Sequence, residues 1–353
     1  MDMHLHPLEK VFERLALGRS NFPNTTVDYC LQYKALVQHL RSNIYKDVDA
    51  GLAANTPEHG LYTAHNSEHF DEVVLYAGEL LGIKDGSEEV KLTPYELYVL
   101  LVAIRVHDAG NIHGREDHEK KCFSVLRSCG AAAGIDDAEK KIIGSIAQAH
   151  GGKTPAGDKD TIGALEPSYG ISRHSIRPRL IAAIVRFADE ICESRNRASN
   201  YLLQHGRMPR HSELFHRYAA AITESSIAVA ERKISLRYTV KLSDAIRAWG
   251  CAVSGNKTES FLIDEILERL EKMDRERRYC NRFSKELYTI DEIRASIDVV
   301  TDDYDLVHQI SVPGLFDFGY PESNRDHLKQ KLSQYCGPDF WKSYAEARGG
   351  INR

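Results

Sequence analysis

Between Val106 and Lys121 the chain reads VHDAGNIHGREDHEKK, which puts His107, Asp108, His113, Asp117 and His118 into sixteen positions. The chain has 353 residues and sixteen histidines in all, so three in so short a stretch is a local concentration. Imidazole nitrogens mixed with carboxylate oxygens suit Mn, Fe, Co, Ni or Zn rather than Ca. The same groups serve as general acids and bases. A solvated charged loop can carry the same letters, so the decision falls to the elements that position them.

Leu92-Thr93-Pro94-Tyr95-Glu96 reads as a helix start, with Thr93 as cap, Pro94 in the first turn and Glu96 closing a capping box. The helix continues through YELYVLLVAIRVHDAG, apolar nearly all round and therefore buried, and Gly110 is expected to stop it. His107-Asp108 thus falls at the C-terminal end of a core helix. An earlier helix, NSEHFDEVVLYAGELLG, sets His69 one turn before Val73 on the stripe that includes Tyr76, Ala77 and Leu80. DHEKKCFSVLRSCG aligns His118, Cys122, Val125 and Cys129. DDAEKKIIGSIAQAHGG aligns Ile143, Ala147 and His150 and ends at a glycine pair. RPRLIAAIVRFADEICESRNRASNYL is expected to be one long helix with Ala182, Val185, Asp189 and Cys192 along one side. Each helix therefore offers one ligand-type residue from an otherwise apolar stripe.

In chain order these residues are His69, His107-Asp108, His118, His150 and Asp189, and the pattern resembles the HD superfamily of metal-dependent phosphohydrolases. The resemblance runs from about Thr63 to Ala198 and extends to the contexts TAHNSEHFDEV, HDAG and RFADEI. It implies an all-helical domain in which His69, His107, Asp108 and Asp189 hold a first divalent transition metal. It further implies that Asp108 bridges to a second ion completed by His118 and His150. Two such ions about 3.5–4 Å apart clamp the attacking and leaving oxygens of a phosphoryl centre. The overall pattern is most like HD domains of bacterial conflict and antiviral systems.

Other motifs give way. His65-Asn66-Ser67-Glu68-His69 matches the inverted zinc-peptidase signature H-x-x-E-H, but that reading leaves His107-Asp108 and Asp189 unexplained. AHGGKT (149–154) ends like a phosphate loop, yet Ala147 stands where its first glycine belongs and a helix precedes it. Gly319-Tyr320-Pro321 copies a motif of cyclic-dinucleotide hydrolases but falls far downstream. Glu116-Asp117 comes later than the Glu-Asp of alarmone hydrolases, and Asn111 replaces the histidine preferred by deoxynucleotide triphosphohydrolases. His113, Arg115, Glu116 and Asp117 form a polar loop, open either to solvation or to substrate contact and proton delivery. Lys153, Arg195 and Arg197 are candidates to meet substrate phosphates.

The apolar share of 42%, the charged share of 27% and the absence of any long apolar run describe a globular chain without a membrane span. MDMHLHPLEKVFERLALG lacks a basic segment followed by an apolar one, so no secretory signal is expected. Seven scattered cysteines, never in C-x-x-C, point to reduced thiols and a cytoplasmic setting. A formal charge of −5 argues against duplex nucleic acid as a partner.

After about Gly206 the character changes. KISLRYTV (233–240), IRASIDVV (293–300) and DLVHQISV (305–312) alternate as strands, and TESFLIDEILERLEKMDRERRYCNRF between them is an amphipathic helix. The expectation is a mainly α protein: a helical HD domain over residues 1–206 and a smaller α+β domain over 207–353. The second would regulate, form a homo-oligomer, or wall the substrate pocket, with Tyr279 a candidate for the pairing surface. The expected reaction is attack of metal-activated water on a phosphate ester or anhydride of a nucleotide. Two alternatives stand beside it: a phosphodiesterase for single-stranded or cyclic nucleic acid, and a non-catalytic nucleotide sensor with a structural metal.

Overall fold

The structure is a computed structural model that describes residues 4–48, 61, 63, 67–253, 256–317 and 327–347. His65, Asn66 and Gly319-Tyr320-Pro321 lie outside the described residues. The chain is mainly helical, with a small α+β part towards its C-terminus. Two units are formed. One draws on Met1–Ala54, His65–Cys192 and Tyr279–Thr289, the other on Asn55–Ala64, Glu193–Arg278 and Ile290–Arg353.

The first unit contains α1 (Pro7–Ala16), α2 (Tyr29–Leu40), α3 (Ser67–Leu80), α4 (Pro94–Val106), α5 (His118–Ala132), α6 (Asp137–Gln148) and α7 (Pro178–Ile191). Helix α4 is its axis: every residue from Tyr95 to Val106 is buried. Its start is the expected one, with Thr93 accepting from the Glu96 amide and Glu96 reaching back to Thr93. Two charges on so buried a helix must be compensated, because an uncompensated buried ion costs several kcal/mol. Arg105, fully buried, donates to Glu9 at 2.7 Å and to the Tyr33 hydroxyl at 3.0 Å, and also binds Asp71. Glu96 takes three hydrogen bonds from Arg177, one from its amide and two from its guanidinium. Both networks tie the central helix to its neighbours, the Arg105 network two residues and the Glu96 network about three turns before His107.

Three expectations change here. Helix α4 ends at Val106, not at Gly110; His107 is its cap and Ala109–His113 forms a 3-10 turn. Gly110 serves close approach instead, since a Cβ there would stand 2.0 Å from the carbonyl oxygen of His118. The first part of the chain is not wholly helical: β1 (Tyr169–Ile171) and β2 (His174–Ile176) form an antiparallel hairpin. And α7 stops at Ile191, where Cys192 turns to ψ 60°, so the stretch to Leu202 is broken by a 3-10 turn at Arg195–Arg197. Ser194 and Asn196 sit at this break, as side chains that compete for backbone hydrogen bonds.

The second unit is built on a four-stranded sheet in the order β3-β4-β7-β8 (Ile222–Ala228, Lys233–Lys241, Glu292–Val300, Leu306–Phe316). The expected strands over 233–240, 293–300 and 305–312 all appear, and Ile234, Leu236, Tyr238 and Val240 are buried as their alternation requires. β4 and β7 pair in parallel from Lys233↔Glu292 to Lys241↔Val300, which demands a long crossover. The hairpin β5-β6 (Ala248–Val253, Asn256–Phe261) and helix α8 (Leu262–Ser284) fill that crossover. Helix α8 buries Ile263, Ile266, Leu267, Leu270 and Met273 along one stripe. Its last residues count with the first unit: Tyr279 accepts from the Ile162 amide at 2.9 Å and donates to Asp160 at 3.0 Å. Tyr279, expected in the downstream domain, is therefore tied to the first unit.

Candidate metal centre

Five helices and a turn bring the polar residues of the first unit together. His69 comes from the first turn of α3, His107 and Asp108 from the end of α4, and His118 from the start of α5. His150 lies just beyond the end of α6, and Asp189 in the last turn of α7. All but Asp189 are buried; its side chain is 25% exposed and forms the open side of the group.

Asp108 is the centre of the arrangement. Its Oδ2 faces the Nε2 atoms of His69 at 3.7 Å and His107 at 3.8 Å. Those two nitrogens stand 3.3 and 3.5 Å from Oδ1 of Asp189. The other oxygen of Asp108, Oδ1, faces Nε2 of His118 at 3.0 Å and of His150 at 3.5 Å. One carboxylate is thus shared by two ligand sets, His69–His107–Asp108–Asp189 and Asp108–His118–His150, each able to hold a metal ion.

Two observations test whether such an ion fits. Ligands about 2.0–2.2 Å from a common ion are about 3.0–3.4 Å from one another at octahedral or tetrahedral angles, close to the spacings seen. The imidazoles are also turned the right way. Nδ1 of His107, His118 and His150 each lies against a carbonyl oxygen three residues upstream: Ile104 at 2.7 Å, Arg115 at 3.0 Å and Ala147 at 2.6 Å. A donor N–H at Nδ1 leaves Nε2 as a lone pair aimed at the cluster, the arrangement that orients metal-binding histidines. Nε2 of His107 is buried with no hydrogen-bond partner, an expensive state for a polar atom unless something binds there. The residues fit a divalent ion.

The electrostatics agree. Burial raises the pKa of Asp108, but His107 and His118 outweigh it and hold the carboxyl well below the usual range. Asp189 is likewise held well below, with His107 and His69 overcoming its burial. Burial pulls His107 down, yet Asp108 and Asp189 raise it to about 9, while burial lowers His150 despite Asp108. The cluster thus keeps two carboxylates ionised and at least one imidazole neutral.

Further neighbours complete the site, and of these the sequence reasoning passed over Glu119. Oε2 of Glu119 is 3.2 Å from Nδ1 of His118, a second acceptor for the same N–H. Gly152, at φ +70°, leaves the room for it: a Cβ there would lie 2.4 Å from Glu119 Oε1. Cys192 Sγ lies 3.7 Å from Nδ1 of His69. No spacing rule distinguishes Glu119 from the other charges of EDHEKK, whereas Cys192 lies on the stripe of Asp189. Asn111 is fully buried and its Nδ2 has no hydrogen-bond partner.

Arg115 reaches the cluster, with Nη1 3.6 Å from Asp108 Oδ1 and its side chain 37% exposed. His113 is exposed, and the carboxylate of Asp117 pairs with Lys120 at 2.7 Å on the surface. Lys153 is exposed on the loop after His150. Arg195 and Arg197 belong to the second unit, in a 3-10 turn that follows the helix carrying Asp189 in sequence. All seven cysteines are free, and among the described residues no helix is long and apolar enough to cross a membrane.

One protein-family model, HD-CE, matches residues 59–272, more than half of the chain and all six polar residues of the cluster. No curated protein and no solved structure matches.

Proposed function

The chain belongs to the HD-CE family, and we propose that it is a metal-dependent phosphohydrolase acting on a phosphate ester or anhydride of a nucleotide. The observation that carries this reading is the division of Asp108, one oxygen to each of two histidine sets. A divalent ion in such a site supplies Lewis-acid polarisation of a phosphoryl oxygen and a nucleophilic water at neutral pH.

The chain's own residues supply the rest. His69, His107 and Asp189 form one ligand set, His118 and His150 the other, and Asp108 serves both. The three carbonyl anchors keep each Nε2 pointed inwards, so little reorganisation accompanies loading. Arg115, half in solvent beside Asp108, is placed to neutralise an anionic oxygen arriving from outside. Asp189, on the open side, marks the direction of entry. His113, Asp117 and Lys153 lie on exposed loops next to these ligands in sequence, where proton delivery and phosphate contact are their assigned tasks. No metal-binding group among the described residues falls in the second unit, which we assign to regulation or assembly.

The test is metal analysis of the purified protein, followed by a nucleotide panel with Mn²⁺ read by product chromatography. One to two ions per chain and release of phosphate or a nucleoside phosphate are expected. Bound metal without turnover of any nucleotide would leave a sensor, and a protein without metal would remove the reading altogether.

A further inference from the structure

The second unit has a cavity of about 640 Å³ that the metal centre does not explain, a volume typical of small-ligand sites. Three cations line it: Arg195, Arg217 and Lys241. Two carboxylates offset them in part. Asp244 binds Arg217 at 2.8 Å, and Asp302 lies 3.9 Å from Lys241 and accepts from Ser243 at 3.0 Å. Arg217 is further fixed by stacking 3.4 Å above the Trp249 ring. Arg195 is exposed and has no ion pair among the described residues. The lining therefore carries one net positive charge, with Thr223 and Thr239 adding hydroxyls.

The residue that gives the cavity its character is Tyr304. It lies in the turn between β7 and β8, where Thr301 N–H donates to Asp305 and Tyr304 N–H donates to Thr301. Its φ is +68°, the left-handed region that such turns normally reserve for glycine or asparagine. A bulky residue there costs about 1–3 kcal/mol. Burial does not offset the cost, because Tyr304 is 67% exposed. Among the described residues its ring has one neighbour of note, the Lys241 ammonium 4.9 Å from its centroid, and an exposed cation–π contact is worth only about 0.5–1 kcal/mol. A strained backbone thus holds an uncovered aromatic face beside a cation, at the rim of a cavity.

We propose that this cavity binds a planar aromatic compound carrying a single phosphate, of the nucleoside monophosphate class. The ring stacks on Tyr304, and the phosphate meets Lys241 and Arg195. The single net positive charge suits one phosphate better than the several of a triphosphate. The site lies wholly in the second unit, so it stands or falls independently of the metal centre.

Isothermal titration of AMP into the full chain carrying Asp108→Ala tests it, since that background removes the candidate metal bridge and any hydrolysis. One AMP per chain is expected, with adenosine and inorganic phosphate each at least about tenfold weaker. Tyr304→Gly, which relieves the strained turn and so keeps the fold, should weaken AMP about tenfold and leave inorganic phosphate unchanged. Lys241→Ala and Arg195→Ala should weaken both AMP and phosphate. Absence of AMP binding at millimolar concentration would overturn the proposal. So would AMP affinity unchanged in all three variants, or phosphate binding as tightly as AMP.

Discussion

The metal cluster of the first unit and the cavity of the second are both polar, but they are built in opposite ways. In the cluster, the histidines are buried and three of the four are held by backbone carbonyls, so geometry is fixed before anything binds. In the cavity, Arg195 is exposed on a long side chain and the fixed element is a strained turn presenting Tyr304. The first arrangement suits chemistry, which demands sub-ångström placement. The second suits recognition, which tolerates adjustment. The contrast teaches where to look for each: buried polarity in one case, uncovered aromatic surface in the other.

The largest expected effect breaks the first region alone. Asp108→Ala removes the shared carboxylate, so metal analysis should find both ions lost and turnover should fall about 10³-fold or more, with circular dichroism unchanged. Retained metal and activity would dissolve the distinction between the two regions. Arg105→Met should follow, because Glu9 and Asp71 lose the partner that neutralises them. Denaturant unfolding should report about 3–5 kcal/mol of lost stability, and a loss below 1 kcal/mol would show that the buried network is dispensable.

Glu119→Gln sharpens the picture of the cluster. It keeps the shape but weakens the hold on His118 Nδ1, and affinity for one of two ions should drop about 10- to 100-fold in a chelator titration. If both ions weaken equally, or neither does, Glu119 does not act through His118.

A pH effect should distinguish the metal-free protein. His107 is raised from 6.5 to about 9, so its proton stabilises the fold fully below pH 6.5, and that stability is lost as pH rises through about 9. Asp108 and Asp189 are lowered from 3.8, so their contribution is present above pH 3.8 and lost only at more acid values. Thermal unfolding in chelator should therefore show a lower Tm at pH 9.5 than at pH 6, and His107→Phe should flatten that difference. The smallest effect belongs to the second region: Tyr304→Gly should raise stability by about 1 kcal/mol. A drop instead would mean that the turn is unstrained.

The candidate ligands were legible because each sits on an apolar stripe where a polar residue has no solvent to face. Thr93 and Glu96 announced the helix that delivers His107 and Asp108 for a similarly local reason. Illegible features were those that no local pattern marks. β6 is largely exposed and β3 mixes exposed with half-buried positions, so neither carries an alternation to read. Gly110 looked like a helix stop because its real constraint, the carbonyl of His118, belongs to the next helix. Glu119 is one charged residue among many, and only three-dimensional placement separates it. Tyr279 looked like part of the downstream domain because the helix that carries it begins there.

That last residue has a consequence for synthesis. The first unit is completed by Tyr279–Thr289, whose Tyr279 anchors the Ile162 amide and whose Glu286 binds Arg177. A ribosome that has released Cys192 has therefore delivered every candidate ligand but not the whole of the unit to which they belong. Nearly a hundred further residues must emerge before it closes. Stopping the chain between the two segments would yield a polypeptide with the whole ligand set and an incomplete first unit.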